Sequence, residues 1–248
     1  MKTFKRIFNY ISLDPRLIIL CSFLWTISVT IIITNFIIPN FDEANIKSFV
    51  LNKPEHTKNL NSGIIFPDAS SYSNEAIEFS EKLSIEGIEN WTMFSKGCGR
   101  DCNDPIANLL ALFYYFTNDN LFSFFIFNCI IFSLSVYFLY RIYNEIFKDK
   151  KASLICLLPF LFFPTAISFY ANISKDNFFI FGVLANLYSL LIIIKIFSNN
   201  IIFKKLIFMI LNFLMLYIIG LSAMLIFRGY FLEIIIVPLN LIFIIILI

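Results

Sequence analysis

Charged side chains are scarce in this sequence of 248 residues. Asp, Glu, Lys and Arg make up 15% of it, whereas hydrophobic residues make up 59% and the mean hydropathy is +0.81. In a typical soluble domain about a quarter of the residues are charged and about half are apolar. The composition therefore excludes an ordinary soluble domain and indicates an integral membrane protein.

Histidine and glycine are also scarce, and this limits the chemistry. The only histidine is His56, so a zinc site would need two more ligands beside the pair Cys98 and Cys102. That pair has the spacing C-x3-C, which outside the cytoplasm more often forms a small disulfide than a metal site. The few glycines form no nucleotide-binding signature, because Gly97-Cys98-Gly99 is too short for a phosphate loop.

Long apolar runs occupy most of the chain. A bilayer core about 30 Å thick needs roughly 20 mostly apolar residues per helix. Six runs meet this requirement: Leu17–Ile38, Leu121–Tyr140, Ala152–Ala171, Asn177–Phe197, Leu206–Phe227 and Tyr230–Ile248. The run Ile106–Phe116 is too short to cross, and we interpret it as an interfacial or re-entrant helix.

The predicted fold is therefore an all-α, multi-pass integral membrane protein. It is a bundle of about six transmembrane helices in a single membrane domain over residues 1–248. Residues 17–38 form the first span, 39–120 a large extracytoplasmic loop containing amphipathic helices, and 121–248 five further spans.

Lysine and arginine alternate along the chain in a way that predicts the orientation. Eleven basic residues lie in the N-terminal segment and in the turns 141–151 and 195–205. By the positive-inside rule, these segments and the N-terminus are cytoplasmic, as in a bacterial inner or plasma membrane. The long loop then faces outward, as do the short connections at Lys175-Asp176 and Arg228.

The outer loop contains the segment Phe66–Tyr72, with Asp68 as its principal candidate residue. From Ser73 onward, apolar and small residues recur every three or four positions, which predicts an amphipathic helix. Asp68 lies at its start and can act as a helix cap or as a catalytic carboxylate. At the far end of the loop, Asp104 and Pro105 are placed to cap the short helix that follows.

Three more ionisable residues lie at or near the predicted ends of spans. Asp176 is at the N-terminus of the fourth span, where it can bind a ligand or simply cap the helix. Arg228 ends the fifth span, where it can bind an anion or extend to the lipid headgroups. Glu233, five residues later, is too far along a helix to pair cleanly with Arg228, and a charge inside a span is a functional candidate.

A pattern of short motifs connects these positions. The outer loop begins with an Asp-Ala-x-x-Tyr-like element at Asp68–Tyr72 and ends in a Pro-led helix. Further along the chain come Pro164, Tyr170 and Ser174-Lys175-Asp176, and an arginine ends the fifth span. This arrangement resembles the GT-C superfamily of glycosyltransferases. Within it, the chain looks most like the bacterial relatives of dolichyl-phosphate-mannose protein mannosyltransferases and aminoarabinose transferases.

The resemblance implies transfer of a sugar from a polyprenyl-phosphate donor to an acceptor hydroxyl on the extracytoplasmic face. It implies that Asp68 is the acidic catalytic residue of the first loop and that Asp176 faces the same cavity. The chemistry needs a carboxylate that takes the hydroxyl proton, and Asp68 is the candidate general base. Asp176 can orient the acceptor or, together with Asp68, hold a divalent cation.

The donor phosphate needs a cation as it departs. The resemblance places Arg228 near this phosphate, and Lys175 is the alternative. Tyr72 and Glu233 are the remaining substrate-binding candidates. The expected partners are the lipid-linked donor, membrane lipids and a glycan, lipid or protein acceptor, with no nucleic acid.

Two other functions remain open. Ala69 follows Asp68 where the family usually has a second acidic residue, and the chain ends in an apolar run where members usually carry more spans. These departures favour an inactive or partial member of the family, such as a fragment or half of a two-chain assembly. A transporter or polymerase of lipid-linked glycans in cell-surface polysaccharide assembly would instead line a path with intramembrane charges.

Overall fold

The computed structural model describes residues 15–37, 67–93, 104–117, 120–163, 166, 169–198 and 203–228. Within these ranges all regular structure is helical. The α-helices there are α1 Pro15–Ile32, α2 Pro67–Glu86, α3 Pro105–Thr117, α4 Leu121–Phe147, α5 Lys150–Phe162, α6 Lys175–Ser198 and α7 Phe203–Arg228. A wider helical turn, Ile33–Ile37, extends α1, and a 3₁₀ turn, Ile88–Asn90, follows α2.

Four helices of the described part are long and apolar enough to cross a bilayer. Their apolar stretches are Arg16–Phe36, Leu121–Phe147, Lys175–Ile196 and Leu206–Arg228. Each contains at least 21 residues, and they match the first, second, fourth and fifth predicted spans. The prediction of a helical membrane protein is thus confirmed, whereas the predicted sixth span, Tyr230–Ile248, lies outside the described residues.

The third predicted span differs from the prediction. Instead of one helix over Ala152–Ala171, α5 ends at Phe162 after 13 residues, a rise of about 20 Å that is too short to cross. Phe163 precedes Pro164, and a residue before proline is disfavoured in the helical conformation. The helix therefore ends there, and residues 171–174 are not helical.

The chain divides into two compact units, and α1 and α4 contribute to both. Unit 1 comprises Met1–Ser22, Ile131–Phe162 and Lys175–Ile248. Unit 2 comprises Phe23–Ile130 and Phe163–Ser174. The following paragraphs describe each unit by itself.

In unit 2, α2 packs against α3 with a stripe of small residues. The predicted amphipathic helix is confirmed, since its buried positions recur every three or four residues: Ala69, Ser73, Ala76, Ser80 and Leu83. Small side chains let two helices approach closely. The Ser73 hydroxyl lies 2.9 Å from the Tyr114 hydroxyl of α3, so the buried polar groups at this contact are paired.

Side-chain hydrogen bonds hold the start of α3 and the turn after α2. The Ile106 amide donates to Asp104 Oδ1 at 3.2 Å, which confirms the predicted cap. Trp91 Nε1 donates to the Asn108 carbonyl at 2.9 Å, and Asn108 Nδ2 donates to the Met93 carbonyl at 3.2 Å. The segment after α2 is thereby attached to α3.

Also in unit 2, one side chain binds the backbone segment that precedes α6, in which residues 169–170 are helical and residues 171–174 are not. Residues 170–173 of this backbone are buried. Asn128 of α4 donates from Nδ2 to the Phe169 carbonyl at 3.0 Å and to the Asn172 carbonyl at 2.7 Å. In a bilayer core no water can satisfy such carbonyls, so non-helical backbone needs a protein partner. Asn128 supplies that partner.

In unit 1, α4 and α6 run in the same direction. The Phe138 ring of α4 lies 5.7 Å from the rings of Phe181 and Tyr188, and further along both helices Glu145 contacts Lys195. The ends of α4 and α6 that carry the two basic turns are therefore adjacent. Because the two helices are parallel, residues 148–174 must return the chain to the other end of the unit, and α5 is the first part of that return.

Helix α7 runs antiparallel to α6, and the two backbones touch where glycines face each other. A Cβ atom added to Gly182 would lie 2.7 Å from the Gly220 carbonyl oxygen, and one added to Gly220 would lie 2.8 Å from the Gly182 oxygen. Asn186 Nδ2 donates to the Gly182 carbonyl at 3.1 Å and contacts Met224 Sδ at 3.2 Å. Only glycine fits on both sides of this contact.

Substituting Gly220 should separate α6 from α7. We expect Gly220→Ala to lower the free energy of unfolding by about 1–3 kcal/mol, since its Cβ would meet the Gly182 carbonyl oxygen and also the Asn186 amide that bonds to that carbonyl. Ser222→Ala, on an exposed position of the same helix, is the control and should change it by less than about 0.5 kcal/mol. Reversible unfolding in mixed detergent micelles measures both; equal effects would contradict the close contact.

Substituting Asn128 should release the backbone before α6. Asn128→Leu removes two hydrogen bonds and leaves the Phe169 and Asn172 carbonyls without this donor, so we expect a loss of about 2–4 kcal/mol in unfolding free energy. Ser135→Ala on the same helix removes a bond to the Ile131 carbonyl of its own helix and should have a much smaller effect. Limited proteolysis should cut the Asn128 variant near residues 163–174 and leave the control intact.

Candidate functional site

Asp176 and Arg228 form an ion pair at one end of unit 1. Asp176 is the second residue of α6 and Arg228 the last residue of α7, and these two ends are adjacent because the helices are antiparallel. Arg228 donates to Asp176 Oδ1 from Nη2 at 2.6 Å and from Nε at 3.0 Å. The structure therefore brings together two of the predicted site residues.

The surroundings of the ion pair favour both charges. Asp176 lies at the positive end of the α6 dipole and Arg228 at the negative end of the α7 dipole. Immediately inside the pair, the rings of Phe178 and Phe227 stack with their centroids 4.4 Å apart. This aromatic contact packs the start of α6 against the end of α7.

The pair still reaches the solvent or headgroup side. The Arg228 side chain is 23% exposed and the Asp176 side chain 41% exposed. A guanidinium has five N–H donors, and two of them point to Asp176 here. Lys175, the first residue of α6, adds a second positive charge beside the pair.

Asp68 and Tyr72 lie on α2 in unit 2. Asp68 is the second residue of this helix, where the helix dipole favours an anion, and Tyr72 follows one turn later. The first half of α2 is linked to the start of α3 by Glu75, which accepts from the Ser71 hydroxyl at 3.1 Å and from the Asp104 amide at 3.3 Å. That Asp68 shares a cavity with Asp176 stays a prediction.

Several other predicted residues lie outside the described part of the chain. Glu233, Cys98 and Cys102 are among them, so the role of Glu233 and the disulfide both stay predictions. No group of three or more His, Cys, Asp or Glu residues within the described ranges is placed to hold a metal ion. A cation shared by Asp68 and Asp176 likewise stays a prediction.

Sequence reasoning missed Asn128 and the ion pair between Glu145 and Lys195. Asn128 is a polar residue inside an apolar span, and such residues are usually conserved for a structural or functional partner. That signal was present in the sequence. The Glu145–Lys195 pair has no comparable signal, because its members are 50 residues apart and each also fits a solvated turn.

The contact between Asp176 and Arg228 can be measured with a double-mutant cycle. We expect the stability losses of Asp176→Asn and Arg228→Gln to be non-additive by about 1 kcal/mol, as for a partly exposed ion pair. Pairing Asp176→Asn with Lys148→Gln is the control, since Lys148 lies at the opposite end of unit 1 and bonds Glu145. Additive losses in the first cycle would contradict the ion pair.

Comparison of the chain with family models, curated proteins and solved structures finds no match. The functional argument therefore depends on the residues of this chain and on their geometry.

Proposed function

We propose that this protein is a membrane glycosyltransferase that moves a sugar from a polyprenyl-phosphate donor to an acceptor hydroxyl on the extracytoplasmic face. The membrane is a bacterial inner or plasma membrane, and the N-terminus is cytoplasmic. The observation that supports the proposal most is the contact between Asp176 and Arg228. These residues were selected from the sequence for a single reaction, and they meet at the ends of two apolar helices.

Arg228 and Lys175 would bind the donor phosphate. In the transfer, the acceptor oxygen attacks the anomeric carbon, the bond from that carbon to the phosphate oxygen breaks, and polyprenyl phosphate leaves with the bonding electrons. Cations beside the leaving oxygen stabilise the charge that develops there. Asp176 keeps the Arg228 guanidinium in position for this role through two hydrogen bonds.

The surface of α7 suits the hydrocarbon tail of such a donor. Exposed apolar side chains lie on one face of it and lead toward Arg228: Leu211, Met215 and Ile218 are three or four residues apart, and Leu225 follows two turns later. A polyprenyl chain in the bilayer can lie along this stripe while its phosphate reaches the helix end. A lipid-linked donor therefore fits this surface, because the apolar stripe that would contact its tail leads to Arg228, which would bind its phosphate.

Asp68 would take the proton of the acceptor hydroxyl. A positioned general base of this kind typically contributes about 10²- to 10⁴-fold to the rate. Tyr72, four residues later, projects from the same face of α2 and would contact the acceptor. Asp176 orients the acceptor or shares a divalent cation with Asp68, and Glu233 is a further candidate substrate contact.

One observation favours a second function, the transport or polymerisation of lipid-linked glycans. The described residues 171–174 directly before α6 are not helical, residues 171–173 are buried, and Asn128 donates to the Asn172 carbonyl among them. Interrupted helices of this kind are typical of the substrate sites of transporters. An inactive member of the superfamily is the third reading, because Ala69 replaces a second acidic residue.

Transfer from a synthetic polyprenyl-phosphate sugar tests the proposal. With protein in nanodiscs, we expect turnover by the wild type and a loss of about 100-fold or more in kcat for Asp68→Asn. Glu78→Gln, an exposed position on the same helix, is the matched control and should keep wild-type kcat. Arg228→Gln should mainly weaken donor binding and raise KM.

The alternatives give different results in the same system. Equal kcat for the wild type and Asp68→Asn would remove Asp68 from the mechanism. Donor binding without turnover would indicate the inactive member. Movement of the lipid-linked sugar across liposomes, with no transfer, would indicate the transporter.

A further inference from the structure

The end of unit 1 opposite to the Asp176–Arg228 pair has an unusual arginine. Arg141 lies inside α4, two turns before the helix ends, and is half-buried. Its guanidinium carbon lies 5.4 Å from the centre of the Tyr188 ring and 5.9 Å from that of Tyr137. Nη1 also donates to the Tyr137 hydroxyl at 3.4 Å. Two aromatic rings, one from α4 and one from α6, therefore position this cation.

The nearest carboxylate on the same helix face already has two partners. Glu145, one turn after Arg141, accepts from Lys148, which directly follows α4, at 2.9 Å and from Lys195 of α6. Its side chain is only 13% exposed. Among the residues that the structure describes, no carboxylate lies within ion-pair distance of Arg141.

The whole helix end has an excess of positive charge. Its described side chains include five bases and two acids: Arg141, Lys148, Lys150, Lys151, Lys195, Glu145 and Asp149. One of the two acids, Asp149, accepts from the Lys151 amide at 2.9 Å and so caps α5. Among these described side chains the bases therefore outnumber the acids by three.

We propose that Arg141, Lys148 and Lys195 bind the phosphate headgroup of an anionic phospholipid between the ends of α4 and α6. A span of this length places its end at the depth of the headgroups, where tyrosine is favoured because one side of it is apolar and its hydroxyl is polar. Glu145 is a single anion that is already bonded to both lysines. The lipid phosphate supplies a second anion, and it accepts charge-assisted hydrogen bonds from the Arg141 guanidinium. Basic pockets between transmembrane helices bind anionic headgroups in this way.

A basic membrane face alone does not explain this geometry. Orientation requires only that lysines and arginines lie in the turns on one side. Here one arginine is inside the helix, two tyrosines flank it, and a single carboxylate is shared by the two neighbouring lysines. This arrangement is typical of a site with a defined ligand position. It predicts that the protein selects between lipid headgroups and that Arg141 matters more for binding than an exposed lysine does.

Lipid retention by the purified full-length protein tests the site. The protein is extracted from vesicles of equal parts phosphatidylglycerol and phosphatidylcholine, and the lipids that remain bound are counted by native mass spectrometry. We expect selective retention of phosphatidylglycerol and a loss of about fivefold in Arg141→Gln, the effect of one basic contact near an anionic surface. Lys151→Gln removes the same charge from an exposed position of α5 and is the matched control, with little expected change.

A second variant separates binding from folding. Glu145→Gln frees Lys148 and Lys195 from their shared carboxylate, so phosphatidylglycerol retention should rise above that of the wild type. A purely structural role of the cluster predicts no such gain. This variant keeps Arg141, so the test stands even where Arg141→Gln does not fold.

Three results would overturn the proposal. Equal losses in Arg141→Gln and Lys151→Gln would show attraction to the surface charge in general, and equal retention of the two lipids would show no headgroup selectivity. Inorganic phosphate that stabilises the delipidated protein as well as phosphatidylglycerol does would assign the cluster to free phosphate. None of these results bears on the proposed sugar transfer, whose residues lie elsewhere.

Discussion

The rest of the structure depends on how backbone carbonyls are satisfied where a helix is interrupted within an apolar protein. Helix α5 ends at Phe162, and before α6 begins Asn128 provides the donors for the carbonyls of Phe169 and Asn172. Because a bilayer core offers no water as a substitute, this interruption needs a buried polar side chain. The next helix can then begin at Lys175, which puts Asp176 in its first turn.

The register between α6 and α7 determines which residues lie beside the first turn of α6. Gly182 and Gly220 bring the two backbones into contact, and the antiparallel direction then aligns the start of α6 with the end of α7. Opposite charges at these ends agree with both helix dipoles. At the other end of the unit, the parallel neighbours α4 and α6 bring together basic side chains and a single shared carboxylate. The two ends of unit 1 therefore carry different charged groups, because α7 is antiparallel to α6 whereas α4 is parallel to it.

Much of the fold was predictable from local signals. Four spans, the small-residue face of α2 and the Asp104 cap follow from hydropathy, periodicity and capping chemistry, which each act within a few turns of one helix. The third predicted span is interrupted after Phe162, because hydropathy counts apolar residues and does not report whether their backbone is helical. Pro164 marked the break locally and Asn128 was visible as a polar residue in an apolar span, but nothing local identified the carbonyls that Asn128 binds.

The sequence by itself determined that the chain is a helical membrane protein, and it placed Asp176 and Arg228 at helix ends. It placed Arg141 in a turn after Tyr140, whereas α4 continues to Phe147. Only the tertiary structure decided that Asp176 binds Arg228 and that Glu145 is shared by two lysines. The physical reason is the distance along the chain over which each interaction acts. Hydrophobicity and helix capping are properties of neighbouring residues, whereas an ion pair between helices depends on their direction and register, which here follow from a glycine contact and aromatic stacking between distant residues.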